Sequence, residues 1–447
     1  MAPYSQPVNT VTPSILALVL FFALSPLAAC GDDDDGPPAA ATPTGTPATA
    51  ASPTGTSAPQ GVADPAREEV RAVPGEYDSI QAAVDAAQPG DLVLISPGLY
   101  EEDVVVTTDD LVLRGLDRNE VILDGGYELS NGIKVDGASG VAIENMTARR
   151  YTINGFFWLY ADGFRGSYLT AHNNGYYGLN SFGSRRGLFE HSYASGHADG
   201  GFYVGRCEQC DIVIRNVVSE HNGLGFSGAN ATDFSIVEST FRFNRAGIAL
   251  TSSDRKELGP LRAVAVVGNL VYANSNIETA VTEILRVTQG NGILIAGGVD
   301  NVVERNRVFD HDIGGIGVIP WLDSEFWPNE GNIVRGNHVS DSRLVDLGLS
   351  DGDGSGNCFA DNSFTSSAPL VLEDLRPCAG PSSGDPTAGA LDLAALLARE
   401  TAPSGDYKTQ PTPEPQSQMP DPATSAWTPA GEVPDIDLEA IVLPPAP

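Results

Sequence analysis

Short apolar runs of three to five residues alternate with polar turns through the middle of the chain. A glycine followed by a large apolar residue opens one run in each repeat, at Gly132, Gly155, Gly178, Gly201, Gly225, Gly247, Gly292 and Gly315. The intervals are 22 to 24 residues except for one of 45, which contains inserted residues around 254–262 and 277–289. Short strands joined by turns in a unit of this length predict one coil of a parallel β-solenoid.

A second apolar run in the repeats ends near Asn or Ser, as at Asn145, Asn216, Ser239, Asn306 and Asn337. We expect each repeat glycine to follow a tight turn that needs positive φ, where a Cβ atom is penalised. Alternation along the strand then directs the next residue into the core, which gives the column Phe156, Leu179, Phe202, Phe226, Ile248 and Ile293. The Leu-x-x-Leu-x-Leu pattern of a leucine-rich repeat is absent.

The start of the solenoid needs a lid, because an open first coil would expose a sheet edge. Residues 78–87 supply an amphipathic helix with Ile80, Ala83 and Val84 on one face, and Asp78 is its expected N-cap.

The run from Ile80 to Glu101, followed by Leu111–Gly115 and Val121–Gly125, resembles the first coils of right-handed parallel β-helix proteins of the pectin-lyase-like superfamily. The resemblance covers residues 75–380 and implies an all-β fold of about ten coils with an N-terminal capping helix. This superfamily contains lyases, esterases, epimerases, hydrolases, phage tailspikes and non-catalytic proteins, so the fold does not settle the function. The motifs of pectin methylesterases and polygalacturonases are absent.

Residues 1–30 resemble a lipoprotein signal peptide: an apolar stretch, Ile15–Leu24, precedes Leu27-Ala28-Ala29-Cys30. The first 14 residues contain no Lys or Arg, which departs from the usual pattern. We expect export and lipidation of Cys30, with the membrane contacted only through this anchor.

The predicted arms flank the solenoid. Residues 31–74 are expected to form a disordered linker, residues 381–400 a helix that docks as a cap, and residues 401–447 a disordered, proline-rich acidic tail.

The net charge is −33, which argues against nucleic acid as a partner. Between residues 149 and 215, however, seven arginines outnumber five acids. An anionic polysaccharide is therefore the expected ligand, and we expect a monomer.

Four cysteines remain for the folded part. In an exported protein, Cys207 with Cys210 and Cys358 with Cys378 are expected to form structural disulfides, although a metal site at the first pair stays open. No motif indicates a metal or cofactor, and Ca²⁺ lacks a specific motif here.

Histidines occur near the repeat glycines, and two interpretations stay open. His172, His197 and His221 fall on successive coils, where they form either a polar ladder of turn residues or the lining of a groove. In the second interpretation the outward strip of Phe157, Asn180, Tyr203 and Ser227 contacts sugar rings. The substrate-binding set is then His172, His221, Phe157, Asn180 and Tyr176.

The chemistry that suits this strip is a lyase or C5-epimerase acting on a uronate polymer. Arg206 would neutralise the carboxylate and neutral His197, oriented by Asp199, would remove the C5 proton. Tyr203 would be the proton donor or the second base. The alternative is a non-catalytic carbohydrate-binding or envelope scaffold protein.

A rival site follows later in the chain. Asp310, His311 and Asp312 precede one repeat strand, and Trp321 and Trp327 follow it. These residues would suit a glycoside hydrolase.

Overall fold

Parallel strands stack on three faces, which we call sheets I, II and III in the order in which each coil visits them. The computed structural model describes residues 69–253, 257–282, 287–322, 324–350 and 355–447. Residues 1–68, which include Cys30, the predicted signal peptide and most of the linker, lie outside the described residues. Sheet III stacks ten strands in this part of the chain, in agreement with the expected size.

The strand bounds are as follows. Sheet I contains Val104–Val106, Asn131–Asp136, Asn154–Leu159, Tyr177–Phe182, Gly200–Cys207, Leu224–Val237, Ala246–Thr251, Asn291–Ala296, Gly314–Ile319, Val345–Leu349 and Ser367–Ala368. Sheet II contains Val70–Val73, Leu92–Ile95, Val112–Gly115, Val141–Glu144, Asp162–Ser167, Arg185–Glu190, Ile212–Arg215, the second half of Leu224–Val237, Arg262–Val267, Val302–Glu304, Ile333–Arg335 and Cys358–Ala360. Sheet III contains Gly98–Tyr100, Val121–Asp124, Thr147–Arg149, Thr170–His172, Tyr193–Ser195, Val218–Glu220, Thr240–Arg242, Leu270–Tyr272, Arg307–His311 and His338–Ser342.

The predicted inward column is confirmed. Phe156 pairs in register with Leu179, Leu179 with Phe202, and the column continues through Phe226 and Ile248 to Ile293. All six side chains are buried in one continuous core. The 45-residue interval is a single coil, because the strand Ala246–Thr251 pairs directly with Asn291–Ala296.

The repeat glycines are required for a different reason from the one expected. They do not adopt positive φ; instead, a Cβ atom would collide with the next coil. At Gly132 the added atom would lie 2.5 Å from the carbonyl oxygen of Gly155, and at Gly178 it would lie 2.5 Å from that of Gly201. Close backbone approach between coils therefore selects glycine here.

Side chains in the turns hold successive coils together through buried ladders. In the turn between sheets III and I, the backbone N–H of Asn222 donates to Oδ1 of Asn244 (2.9 Å), and that of Asn244 donates to Oδ1 of Asn274 (3.1 Å). A second ladder between sheets II and III includes Asn269, Asn306 and Asn337. Ser239, Asn306 and Asn337, which end three of the second apolar runs, thus accept turn amides of the preceding coil.

The N-terminal lid is helix α1, Ile80–Ala86, whose Ile80, Ala83 and Val84 are buried. Ser79, and not Asp78, is its N-cap, because Oγ of Ser79 accepts the N–H of Ala82 at 3.1 Å. The strand Val70–Val73 lies within the segment predicted to be a linker, so the fold begins earlier than expected.

Two further helices lie near the C-terminal end. Helix α2, Leu372–Leu375, closes the core with fully buried Leu372. Helix α3, Leu393–Leu397, lies within the predicted capping segment but packs on the outer face of sheet I through Leu396. Its expected place at the end of the solenoid was therefore wrong.

The expectation of a disordered tail is also corrected. Residues 401–447, which we call the C-terminal strap, lie against the outside of the β-helix and include the 3₁₀ turns Tyr407–Thr409 and Leu438–Ala440. Asn173 donates to the carbonyls of Tyr407 and Gln410, and the indole of Trp427 donates to Gly90. The strap then returns along sheet II, where Ile441 packs on Val237 and Val267.

Arginines on the β-helix hold the strap by its backbone. Carbonyl oxygens of the strap accept from the guanidinium groups of Arg114, Arg118, Arg165, Arg186, Arg245, Arg305 and Arg307. A proline-rich segment makes few hydrogen bonds within itself, and its composition is therefore typical of a disordered chain. In the folded protein the arginine donors supply the missing partners and order the segment.

Both predicted disulfides are confirmed, between Cys207 and Cys210 and between Cys358 and Cys378. The first closes a turn after a sheet I strand, and the second joins the last strand of sheet II to the segment after α2. None of the described helices is long and apolar enough to span a membrane.

Limited proteolysis should show that the strap is docked. With a protease of broad specificity, Ile441→Ala should speed cleavage within residues 401–447 by about tenfold, since the buried side chain contributes roughly 1.5–3 kcal/mol to docking. Val442→Ala is the matched control, because Val442 is 74% exposed. Immediate cleavage of the wild-type tail would contradict a docked strap.

Candidate functional site

The outer face of sheet I divides into two parts. Near its C-terminal end, Leu294, Ala296 and Ile319 are covered by Leu391 and Leu396. Nearer the N-terminal end, successive coils place Lys134, Phe157, Asn180, Tyr203 and Ser227 in one outward column, as predicted for the last four. A second column contains Leu159 and Phe182.

Aromatic rings form a continuous layer on this part of sheet I, which we call the aromatic face. The ring of Phe182 lies 6.0 Å from Tyr160 and 6.5 Å from Tyr203, to which it is nearly parallel. Tyr203 lies 4.7 Å from Tyr177, and Tyr177 lies 6.3 Å from Tyr176. Tyr160 and Tyr176 are 63% and 45% exposed, so the layer faces solvent at both ends.

Two glycines allow these rings to lie flat. A Cβ atom at Gly205 would lie 2.1 Å from the phenol oxygen of Tyr203. Gly183 has a φ of +62°, and a Cβ atom there would lie 2.4 Å from the ring of Tyr160. The glycines after these strands therefore shape the aromatic face as well as the turns.

Arg206 supplies the positive charge of the face. Its guanidinium lies 5.8 Å from the centroid of Phe182, and it forms no ion pair with any residue that the structure describes. The other six arginines of the basic stretch are paired with Asp124, Glu144, Asp162 or Glu190. On the aromatic face, the positive charge expected from the sequence is therefore limited to Arg206 and the partly exposed Lys134. Lys134 pairs with Asp136.

Two phenols of the face, those of Tyr203 and Tyr177, are held protonated. Burial raises the pKa of Tyr203 to about 12, although nearby Arg206 lowers it. Burial also raises the pKa of Tyr177, whose hydroxyl donates to Oδ2 of Asp199 at 3.2 Å. Asp199 accepts a further hydrogen bond from Oγ1 of Thr282 (3.2 Å). Both tyrosines are therefore hydrogen-bond donors at neutral pH.

The expected role of His197 as a catalytic base is corrected. The side chain is fully buried, its Nδ1 accepts the N–H of Asn174 at 3.3 Å, and its Nε2 lies 3.2 Å from the carbonyl of Ala171. Burial lowers the pKa of His197 to about 3. The ring is a rung of the ladder between sheets III and I, and Asp199 contacts Tyr177 instead.

His172 and His221 do not contribute to the aromatic face either. His172 ends a strand of sheet III, is 6% exposed and has its Nδ1 2.7 Å from Oδ1 of Asn173. His221 lies one residue before the ladder position Asn222 and stacks on Phe243, with the ring centroids 5.7 Å apart. The three rings thus do not converge on the aromatic face, and of the two interpretations the ladder describes His197.

The rival site is not assembled. His311 is buried in the same ladder, where its Nδ1 accepts from Asn274 at 3.3 Å, and Asp310 and Asp312 are exposed beside it. Trp321 and Trp327 pair in an antiparallel hairpin beyond the other end of strand Gly314–Ile319. Six strand residues separate the two groups by about 20 Å. Trp327 is buried against Gly259 and Gly297.

Several residues of the face were not predicted. Tyr177, Phe182 and Tyr160 occupy positions at strand ends, and Thr282 comes from the inserted residues after sheet III. The interval of 22 residues between Tyr160 and Phe182, close to the period of the repeat, was the signal available for these two. Oδ1 of Asn180, which was predicted, is buried and has no hydrogen-bond partner within the described ranges. In the same ranges, no three His, Cys, Asp or Glu side chains are grouped to hold a metal ion.

Comparisons with known proteins agree with this geometry. Residues 127–298 match the family model described as right handed beta helix region. The structure resembles the A-modules of two mannuronan C-5 epimerases of Azotobacter vinelandii. AlgE4 is 15% identical, with 64% of this chain and 91% of that chain covered and a TM-score of 0.51. AlgE6 is 17% identical, with 65% and 83% covered and a TM-score of 0.50.

The chain folds as a right-handed parallel β-helix. At these identities the likeness to the two modules establishes the fold alone. No curated protein sequence matches this β-helix significantly.

The ladder role of His197 predicts a pH effect on stability. Because the folded-state pKa is near 3 and an unfolded histidine titrates near 6.5, the unfolded state binds more protons between these values. The free energy of unfolding should therefore fall as the pH drops from about 6.5, by up to ~1.4 kcal/mol per pH unit for this residue. His172 and His311, with pKa values lowered to about 4, add to this slope.

His197→Asn should keep the rung and remove this residue's share of the slope, as measured by urea unfolding at several pH values. His197→Leu leaves the amide of Asn174 without an acceptor and should cost about 1–3 kcal/mol at pH 7. Equal pH dependence in the wild type and His197→Asn would contradict the assignment.

Proposed function

We propose that the aromatic face of sheet I binds a uronate-containing polysaccharide. The observation that carries this proposal is the guanidinium of Arg206, which forms no ion pair with any described residue, beside a layer of five aromatic rings, two of them well exposed. Aromatic rings offer apolar faces to the C–H faces of sugar rings, and tyrosines add hydroxyls at the rim.

The shape of the face supports a polymer rather than a small molecule. The rings are spread over coils stacked at about 4.8 Å, which is comparable to the length of one pyranose unit. A polysaccharide lying along the β-helix axis would therefore meet one new coil per sugar.

Charge favours a uronate over a neutral sugar. An arginine can hold a carboxylate through two parallel hydrogen bonds, and Arg206 has no competing carboxylate within the described ranges. The epimerase modules that share the fold are named for mannuronan, a polyuronate, which makes alginate the first probe.

Turnover of the same polymer is a second candidate, favoured by the position of Arg206 next to the phenol of Tyr203. A lyase would remove the C5 proton and break the C4–O bond, and an epimerase would return a proton to the opposite face of C5. Arg206 would neutralise the carboxylate while Tyr203 carried the proton. Because the pKa of Tyr203 is about 12, little phenolate is present at neutral pH, and binding without turnover is the better supported function.

Arg206→Gln should weaken alginate binding about tenfold or more, because it removes a charge-assisted hydrogen bond of roughly 1.5–3 kcal/mol. Isothermal titration of the purified protein with alginate and with neutral dextran measures this. The matched control is Arg185→Gln, since Arg185 is 59% exposed but pairs with Asp162 on sheet II.

Equal affinities for the Arg206 and Arg185 variants, or no alginate binding by the wild type, would overturn the proposal. Unsaturated products, or exchange of the C5 proton with solvent, would show turnover instead, and Tyr203→Phe should then abolish it.

We further propose that the protein is exported and anchored by a lipid on Cys30. The apolar stretch before Leu27-Ala28-Ala29-Cys30 and the two disulfides support this, because disulfides persist in oxidising compartments. The anchor would place the aromatic face among extracellular or envelope polysaccharides.

Cys30→Ala should move the protein from the membrane fraction to the soluble exported fraction, because the acyl chains can no longer attach. Immunoblotting of cell fractions measures the change. Cys30→Ser serves as a second thioether-blocking variant, and unchanged partitioning of both would show that another feature holds the protein at the membrane.

A further inference from the structure

A buried arginine joins two segments that are far apart in sequence. The guanidinium of Arg245, which is fully buried, donates to the carbonyls of Ile277 (2.6 Å) and Thr279 (2.9 Å). It also donates to the carbonyls of Ala402 and Pro403 in the C-terminal strap, both at 2.8 Å. One side chain therefore satisfies four backbone acceptors, two from each segment.

The first segment, residues 276–282, we call the corner loop. It follows the sheet III strand Leu270–Tyr272 and runs back over earlier coils. The N–H of Asn276 donates to the carbonyl of Asn244, and the N–H of Thr282 donates to that of Ala198 at 2.8 Å. The loop thus reaches the coil that contains Asp199 and borders the aromatic face.

Contact with the face is made at the end of this loop. Oγ1 of Thr282 lies 3.2 Å from Oδ2 of Asp199, the same carboxylate oxygen that accepts the hydroxyl of Tyr177. Gly223, beneath the loop, has no room for a Cβ atom, which would lie 2.8 Å from the carbonyl of Ala198 and 3.0 Å from that of Ala280.

The strap packs on the other side of the corner loop. Ser404 exchanges hydrogen bonds with Val281, accepting its N–H at 2.9 Å and donating to its carbonyl at 3.0 Å. The N–H of Gly405 donates to the carbonyl of Thr279 at 3.0 Å. A Cβ atom at Gly405 would lie only 2.0 Å from the carbonyl of Glu278, so this contact requires glycine.

We propose that the strap clamps the corner loop against the edge of sheet I, and that Arg245 is a positioning residue through which the strap sets ligand affinity at the aromatic face. The part of this inference that concerns ligand affinity rests on the proposed polysaccharide binding. The corner loop contains no helix or strand, so its position depends on hydrogen bonds: those to Asn244 and Ala198 described above, and those to Arg245, Ser404 and Gly405. Loss of the clamp would free Thr282 and, with it, the orientation of Asp199 and Tyr177.

Gly405→Val tests the clamp without removing the buried guanidinium. Its side chain would collide with Glu278 and separate the strap from the loop, so the amides of Val281 and Thr282 should exchange with solvent at least about tenfold faster. The affinity of the full chain for alginate should fall about fivefold, because the loop must be ordered again on binding. Arg245→Met should have the same two effects if it folds.

Ile441→Ala is the matched control, since it loosens the strap on sheet II and leaves residues 402–405 in place. We expect wild-type exchange at Val281 and Thr282 and wild-type affinity. Unchanged loop exchange in Gly405→Val would overturn the clamp. Faster exchange with unchanged affinity would overturn its effect on the face.

Failure of the proposed function gives a distinct result. If the wild type does not bind alginate, the polysaccharide assignment and the effect on affinity both fall. Hydrogen exchange still decides whether the strap clamps the loop, because that measurement needs no ligand.

Discussion

Stacked coils can approach to strand spacing only if the backbone N–H and C=O groups of the turns between the strands find hydrogen-bond partners. The turns are buried on their inner side, where an unpaired amide costs about 1–3 kcal/mol. The chain solves this with side chains that accept a turn N–H from the preceding coil, as Asn244 does for Asn222. An imidazole nitrogen can replace the amide oxygen, and His197 and His311 occupy such rungs. The ladder therefore gives a structural role to His197 and His311, two residues that the sequence predicted to belong to functional sites.

The backbone of the C-terminal strap also needs hydrogen-bond partners, and side chains on the outside of the β-helix supply them. Extended proline-rich backbone has many acceptors and few internal partners, whereas arginine has five donors and no acceptor. Arg118 shows the match, because its buried guanidinium donates to strap residue Ser417 and to His191 and Leu169 of the β-helix. Burial lowers its pKa to about 9. The strap and the arginines stabilise each other: the strap gains donors for its carbonyls, and the arginines gain acceptors beyond their partners on the β-helix.

The chemistry of the aromatic face follows from the rest of the architecture. The imidazoles of His197 and His311 lie in the buried ladder, and most arginines of sheets II and III pair with acids or hold the strap. What the aromatic face presents outward is a set of rings, including the protonated phenol of Tyr203, and the guanidinium of Arg206, which forms no ion pair with a described residue. Such a surface can orient and retain a charged sugar chain. The carboxylate of Asp199, which lies near the Tyr203 phenol, already accepts hydrogen bonds from Tyr177 and Thr282. This is why binding is better supported than turnover.

The sequence alone determined the β-helix, its period, the inward column from Phe156 to Ile293 and the two disulfides, because each depends on residues whose spacing is fixed along one coil. It also placed Phe157, Asn180 and Tyr203 on one outward face, since strand alternation is a local property. Only the tertiary structure decided which way a turn residue points, so it separated buried His197 from outward His221 at nearby positions. It also decided the conformation of residues 401–447, whose order depends on arginines that lie up to 312 residues away in the chain. Composition cannot reveal such partners, because the free energy that orders an extended segment comes from the surface it contacts and not from the segment itself.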